Sequence, residues 1–217
     1  LADLEDIVLV LKTPGLKGLN VTIPYKKSII RYLDEMDDQA RETGAVNTIK
    51  ISKQDERFFL KGYNTDVDGF IHSEDFSGYD HALILGTGGA SSAIQYALKK
   101  LNIHYRIVSR EPKPYDHLLY EDLDQEIMTR YRLIINTTPL GMFPETGFFP
   151  DIPYDLLTSD HFLYDLIYNP DLTMFLKKGM EKGCRIRNGM KMLHLQAEYA
   201  YRIWNEENYS PRQSNER

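Results

Sequence analysis

Apolar positions recur along this chain with two periods, and the changes between them mark its elements. The first residues give a short polar-apolar helix or strand, Ile7 to Leu11, a Pro14-Gly15 turn, and a predicted strand through Leu19 to Ile23. From Tyr25 to Thr43, Ile29, Leu33, Met36 and Ala40 fall at i, i+4, i+7 and i+11. That spacing predicts one helical face, with Gly44 as its stop. The β-branched run "AVNTIKI", a charged turn near Lys53 to Arg57, and "FFLKGYNTD" read as strand, turn, strand, and residues 67 to 77 as a connecting helix or loop. From His81 the pattern changes. "HALILGTGGASSAIQYALKKL" is an apolar strand, a glycine turn and an amphipathic helix; "HYRIVSR", "YRLIINTTPLGM" and "HFLYDLIYNPD" are further strands, the last two ending in polar residues and a proline. Strands alternating with helical segments predict an α/β fold with a parallel sheet covered by helices on both faces.

The 217 residues suffice for one large or two modest domains. A formal net charge of -6 without a basic block argues against nucleic acid or an acidic membrane surface as a partner and leaves small molecules. A single cysteine, Cys184, forms neither an internal disulfide nor a cysteine metal cluster, which fits a reducing, cytoplasmic setting. The histidines occur at no ligand spacing such as H-E-x-x-H, so no metal is expected. No apolar run approaches the ~20 residues of a membrane span and no signal-peptide pattern opens the chain. The first residue is Leu1 rather than methionine.

Gly86, Gly88 and Gly89 stand where the first strand of the second half hands over to its helix, a place where the backbone can approach a pyrophosphate at the helix N-terminus. Ser91 occupies the third glycine's place in the G-x-G-x-x-G pattern, and Ala90, Ser91, Ser92 and Ala93 keep the helix start small. About 20 residues on, the next strand ends in Ser109-Arg110-Glu111, where such a fold reads the adenosine ribose. Arg110 suits a 2′-phosphate, as in NADP; Glu111 suits a free ribose hydroxyl, as in NAD; an exposed ion pair is the third reading. Asn136, Thr137 and Thr138, and the Tyr168-Asn169-Pro170 segment, follow the next two strands at the ends where ligands bind in open α/β sheets; they line a nicotinamide pocket or simply make turns. Lys26 and Lys27 open a predicted helix, where the dipole opposes a cation by a few tenths to about 1 kcal/mol. They are solvated helix-start lysines, or one is kept there for chemistry.

With these pieces placed, the sequence resembles the shikimate dehydrogenase family, which reduces 3-dehydroshikimate to shikimate with NADPH. The resemblance runs from about Gly18 to Trp204 and rests on "NVTIPYK", "GAVNT", "NTD", "GTGGAS", "NTTPLGM" and "NGMKML" followed by "QA", in that order. It implies a catalytic pair, Lys26 and Asp66, flanking the reacting carbonyl. It also implies substrate contacts at Thr22, Asn47, Tyr168 and Gln196, and cofactor contacts at Gly86, Gly88, Gly89, Ala90, Ser91, Ser109, Arg110, Asn136, Thr137, Thr138 and Gly189. By periodicity alone Gln196 shares a helix face with Leu193, Ala197 and Ala200, so it is either a satisfied core amide or one satisfied by a ligand. A helix start that disfavours the ammonium and an aspartate that favours it would together tune Lys26 as a proton donor.

The expected architecture is a discontinuous α/β substrate domain, residues 1-65 and 189-217, plus a Rossmann-like NAD(P)-binding domain, residues 66-188, with the active site in the cleft between them. The expected function is NADP-dependent interconversion of 3-dehydroshikimate and shikimate in aromatic amino-acid and chorismate biosynthesis, by a monomer or homodimer. The alternatives are an NAD-using quinate/shikimate dehydrogenase and a non-catalytic relative that binds a dinucleotide or a cyclohexene acid. Family members begin with a strand and loop carrying an S-x-S pair that holds the substrate carboxylate. No such pair precedes "GLNVTIPYK", so an N-terminal segment is expected to be missing from this sequence.

Overall fold

The computed structural model describes residues 13–54, 57–111 and 117–206, so the segment Ile7 to Leu11 lies outside the described residues. The chain divides into two compact units, residues 1–65 with 197–217 and residues 66–196. Among the described residues no helix is long and apolar enough to cross a membrane.

The first unit holds β1 (Gly18–Asn20), a 3-10 turn (Ser28–Tyr32), β2 (Glu35–Met36), α1 (Asp38–Thr43), β3 (Thr48–Gln54) and β4 (Arg57–Tyr63). Its four-stranded sheet has the order β1-β3-β4-β2, antiparallel except for the β2–β4 pair. The predicted hairpin is therefore present as β3 and β4. The strand predicted to reach Ile23 stops at Asn20, and Val21 instead donates its N–H to the Asn47 carbonyl at 2.8 Å.

The helix predicted over Tyr25 to Thr43 is interrupted, and the cause is Asp34 to Asp37. Asp34 donates its N–H to the Leu60 carbonyl (2.9 Å), and its carboxylate accepts from the Leu60 N–H (2.8 Å) and pairs with Arg57. Glu35 and Met36 lie beside Lys61 and Gly62 of β4. Asp37 then accepts from the Ala40 N–H and caps α1, which ends at Gly44 with φ 58°. A backbone already bonded to a neighbouring strand cannot also close helical bonds. The apolar spacing is real, because Ile29 and Ala40 are buried and Leu33 and Met36 pack against the same cluster. It is reached by a bent path.

The second unit continues with α2 (Thr65–Ile71), β5 (His81–Leu85), α3 (Gly89–Lys100), β6 (His104–Ser109), β7 (His117–Leu119), α4 (Gln125–Arg130), β8 (Leu133–Asn136), β9 (Phe162–Asp165), α5 (Met174–Glu181), β10 (Arg185–Arg187) and α6 (Met190–Asn205). The unit boundaries fall within α2 and α6. All pairings of the six-stranded sheet are parallel, in the order β10-β9-β8-β5-β6-β7. Read from the other edge this is the doubly wound order in which the chain leaves β5 in one direction and returns on its other side as β8. Successive residues of β5 serve different cores: Ala82 and Ile84 join Ile94, Ala97 and Leu98, whereas Leu83 and Leu85 join Met128, Phe175 and Leu176. Strands covered on both faces need continuous apolar runs, which is what "HALIL" and "LII" are.

Asp165 is the exception to that rule, a fully buried carboxylate at the end of β9. Its Oδ1 accepts from Asn136 Nδ2 at the end of β8 (3.0 Å) and from the Ile167 N–H (3.1 Å); its Oδ2 accepts from Thr173 Oγ1 (2.6 Å). Burial nonetheless pushes its carboxyl up to about 7 against the opposing pull of these hydrogen bonds.

The last turns of α6 belong to the first unit, where Trp204 Nε1 donates to the Ile49 carbonyl at 3.0 Å. A Cβ on Gly18 would lie 2.0 Å from that nitrogen, so only glycine fits beneath the indole.

Gly18→Ala is therefore expected to destabilise the chain by about 1–3 kcal/mol through overpacking. Urea unfolding followed by the fluorescence of Trp204, the single tryptophan, measures it; an unchanged midpoint would show that the indole moves aside freely. A second expectation concerns pH. With Asp165 near 7 when folded and an unfolded carboxyl near 4, the native state holds the extra proton between those values. Its contribution to stability is complete below about pH 4 and is lost as pH rises to about 7, by on the order of a few kcal/mol. Asp165→Asn has no proton to lose, so it should gain stability relative to wild type as pH rises from about 4 to about 7. Parallel pH dependences of the two proteins would mean that Asp165 ionises as an ordinary carboxyl.

Candidate active site

In the first unit the predicted substrate residues gather at one end of the four-stranded sheet, where β1 ends, β3 begins and β4 ends. The loop carrying Thr22 and Lys26 is tied there at both sides: Val21 N–H donates to the Asn47 carbonyl and Val46 N–H to the Lys26 carbonyl, each at 2.8 Å. Thr22 is exposed and Lys26 half-buried. The element after Lys26 is a 3-10 turn of five residues with Lys27 at its cap, too short to carry the macrodipole expected from a long helix. Lys26 therefore does not stand at the start of a long helix.

Asn47 is buried, and much of its amide serves the fold. Its Oδ1 accepts from the Thr65 N–H (2.8 Å) and from Thr48 Oγ1 (3.2 Å), and its Nδ2 donates to Thr65 Oγ1 (3.0 Å). Asn64 Nδ2 donates to the Ala45 carbonyl (2.9 Å) and to Thr43 Oγ1 (3.0 Å). "GAVNT" and the "NT" of "NTD" are thus stitched together, and Asp66, 8% exposed, follows directly in the first turn of α2. The supporting roles of Thr43, Thr48, Asn64 and Thr65 were missed in the sequence. Runs of Asn and Thr beside a strand were the available signal.

In the second unit the predicted cofactor residues lie at the carboxyl ends of the parallel strands. Gly86 follows β5 with φ 106°, and a Cβ there would meet Thr138 Cγ2 at 2.9 Å and Thr137 Oγ1 at 3.0 Å. Those threonines follow β8, so the close approach sits at the topological switch point, between β5 and β8. Thr137 is fixed by donating N–H and Oγ1 to the Leu85 carbonyl, at 3.0 and 2.7 Å. Gly88 caps α3 without a side chain, and a Cβ there would meet nothing within 4 Å. The N–H groups of Gly89, Ala90 and Ser91 open a twelve-residue helix and have no acceptor within it. A bare helix start beside a glycine turn is a cradle for a phosphate, and a dinucleotide fits this arrangement. Ser91 is buried and its Oγ accepts from Gln95 Nε2 (3.1 Å), so its side chain is engaged within the helix.

After β6, Ser109 Oγ donates to the Glu111 carbonyl at 2.7 Å, a bond that shapes the turn, while Arg110 and Glu111 are exposed. Asn136 is fully buried: Nδ2 donates to Asp165, and Oδ1 accepts from the N–H (3.0 Å) and Oγ1 (2.7 Å) of Thr138. It braces the loop from beneath. Tyr168, on the loop after β9, is 45% exposed. Gly189 has a packing reason of its own, since a Cβ there would lie 2.1 Å from the Leu166 carbonyl oxygen. Gln196 donates Nε2 to the Leu193 carbonyl (2.9 Å), and a Cβ on Gly69 of α2 would lie 3.0 Å from the Gln196 Cβ. The apolar stripe expected around Gln196 holds for Ala200, which is buried, and fails for Ala197, which is exposed.

Residues 1–49 match the family described as the shikimate dehydrogenase substrate binding domain. The chain is 39% identical over 220 residues to the shikimate dehydrogenase (NADP(+)) of Caldanaerobacter subterraneus subsp. tengcongensis, covering 93% of this chain and 76% of that one. The crystal structure of shikimate dehydrogenase from Aquifex aeolicus is similar with a TM-score of 0.81 and 34% identity, over 94% of this chain and 77% of that one. That of shikimate 5-dehydrogenase from Thermus thermophilus in complex with NADP(H) and shikimate is similar with a TM-score of 0.74 and 29% identity, over 88% and 74%. The α/β fold, with one smaller mixed sheet and one Rossmann-like parallel sheet, and the relatives that span nearly the whole of it lead to one conclusion: this chain belongs to the shikimate dehydrogenase family.

Proposed function

We propose that this protein interconverts 3-dehydroshikimate and shikimate with NADP, a step of aromatic biosynthesis, and that Lys26 and Asp66 are its catalytic pair. The observation that carries the reading is in the segment matched as a substrate binding domain: it contains Thr22, Lys26 and Asn47, and the fold gathers these at one end of the four-stranded sheet. We assign the units accordingly, residues 1–65 with the C-terminal helical return to the substrate and the doubly wound unit to the dinucleotide. We place the protein in a reducing, cytoplasmic setting, which its single cysteine, Cys184, fits.

The nicotinamide of the bound cofactor supplies the hydride. The chain's own residues handle the charge that follows. As the carbonyl carbon is reduced its oxygen becomes negative, and the Lys26 ammonium stabilises that oxygen and then protonates it. Asp66, which directly follows the Asn47–Thr65 bonds in the first turn of α2, orients the substrate hydroxyls. Thr22, Asn47, Tyr168 and Gln196 give the short polar groups that a carboxylated, polyhydroxylated ring requires. The cradle formed by Gly86 and the N–H groups of Gly89, Ala90 and Ser91 takes the pyrophosphate, and Arg110 the 2′-phosphate.

Lys26→Ala is expected to lower kcat by roughly 10² to 10⁴ while the KM for shikimate changes far less. A kcat within about threefold of wild type would return Lys26 to the role of a solvated lysine. For the cofactor, kcat/KM should favour NADP, and Arg110→Ala should cut the NADP value on the order of tenfold while sparing NAD. If that variant left the ratio between the two cofactors untouched, Arg110 would not be the residue that reads the 2′-phosphate; a wild-type ratio that favoured NAD would make NAD the working cofactor.

A further inference from the structure

Asp165 lies outside every role assigned so far, yet its carboxyl accepts hydrogen bonds from three separate partners. It is fully buried, and it is the point at which three segments meet. Asn136 Nδ2 reaches it from the end of β8, the Ile167 N–H from the loop after β9, and Thr173 Oγ1 from the cap of α5. The connection continues outward. Asn136 Oδ1 accepts from the N–H and Oγ1 of Thr138, and Thr138 Oγ1 accepts from the Leu140 N–H at 3.3 Å. The Asn169 carbonyl accepts from the Phe143 N–H at 3.0 Å, which joins the far sides of the same two loops. The loops Asn136–Pro139 and Ile167–Pro170 follow adjacent parallel strands at the ends where the ligand of such a sheet binds.

We infer that Asp165 is a positioning residue for the nicotinamide end of the cofactor: from beneath the site it holds the loops after β8 and β9 in one arrangement. The inference rests on the reading of this unit as dinucleotide-binding. A buried carboxylate is costly, and apolar residues would fill the end of β9 at lower cost. What aspartate offers is several acceptor positions on one rigid group, enough to fix two loops and a helix cap at once. Because the braced loops follow β8 and β9, and the adenosine end is read after β6, the two ends of the cofactor should respond differently to its loss.

The test is equilibrium binding to the purified protein of NADP and of adenosine 2′,5′-bisphosphate, which carries the adenosine and 2′-phosphate without the nicotinamide. Asp165→Ala and Thr173→Val should weaken NADP on the order of tenfold, the effect of losing hydrogen bonds that fix the two loops, and leave the bisphosphate within about twofold. Asp165→Asn keeps an acceptor for Asn136 and Ile167, and Thr173→Ser keeps the hydroxyl, so both should stay within about threefold of wild type for both ligands. If Asp165→Ala does not fold, Thr173→Val decides. NADP affinity unchanged in a folded variant would overturn the inference. So would an equal loss for both ligands, which would mean that Asp165 supports the fold generally. A wild-type protein that binds neither ligand would overturn the reading of the unit itself and the inference with it, and that failure is visible before any variant is made.

Discussion

Burial of the six-stranded sheet on both faces is the constraint on which most of this chain's organisation depends. A parallel strand with helices above and below it has no solvent side, so each central strand spends its length on apolar residues divided between two cores. Polar side chains are left the strand ends. At the carboxyl ends, Ser109, Asn136 and Asp165 follow or close runs that are otherwise apolar. The same constraint that stabilises the unit therefore collects its polar chemistry along one edge, where the glycine turn and the start of α3 already lie.

Within that edge the residues divide into those that face outward and those that hold the others. Gly86 contributes absence: the space a side chain would take is filled by Thr137 and Thr138, which brings the loops after β5 and β8 together at the switch point. Asn136 and Asp165 contribute rigidity from below, and Arg110 and Tyr168 remain exposed above. The first unit repeats the division with different parts. Asn47 and Thr65 exchange hydrogen bonds in the interior, whereas Thr22 stands exposed on a loop whose backbone is pinned to Asn47 and Val46. A site that must hold several short polar groups at fixed spacing needs such an interior layer, because a loop side chain alone keeps its rotamer freedom.

The elements of the second unit were legible in the sequence because their signals are local. An apolar run of strand length, glycines at its end and an amphipathic segment after it need no distant partner to be read. The polar pairs closing "LIINTT" and "LYDLIYNP" marked the polar carboxyl ends of their strands in the same way. Asp165 was also open to notice as a lone acid inside an apolar run, but its partners come from three separate places in the chain. The predicted helix over Tyr25 to Thr43 is interrupted for a related reason. Its apolar spacing is compatible with a helix, and what breaks it is the pairing of Asp34, Glu35 and Met36 with residues 60 to 62, more than twenty positions away.

By itself, then, the sequence determined the α/β class, the place of the glycine turn, the doubly wound half and, through ordered motifs, the family. These follow from periodicity and from residue types whose backbone preferences are intrinsic. Only the tertiary structure decided which polar side chains stand exposed and which brace others. Ser91, Ser109 and Asn136 look like contacts in the sequence, and each has its side chain committed to a protein partner. It also decided that Gly18 and Gly189 are glycines because an indole and a carbonyl oxygen lie where a side chain would be. The physical reason is that hydrogen-bond satisfaction and close packing are properties of pairs distant in the chain, and their partners are fixed only when the chain has folded.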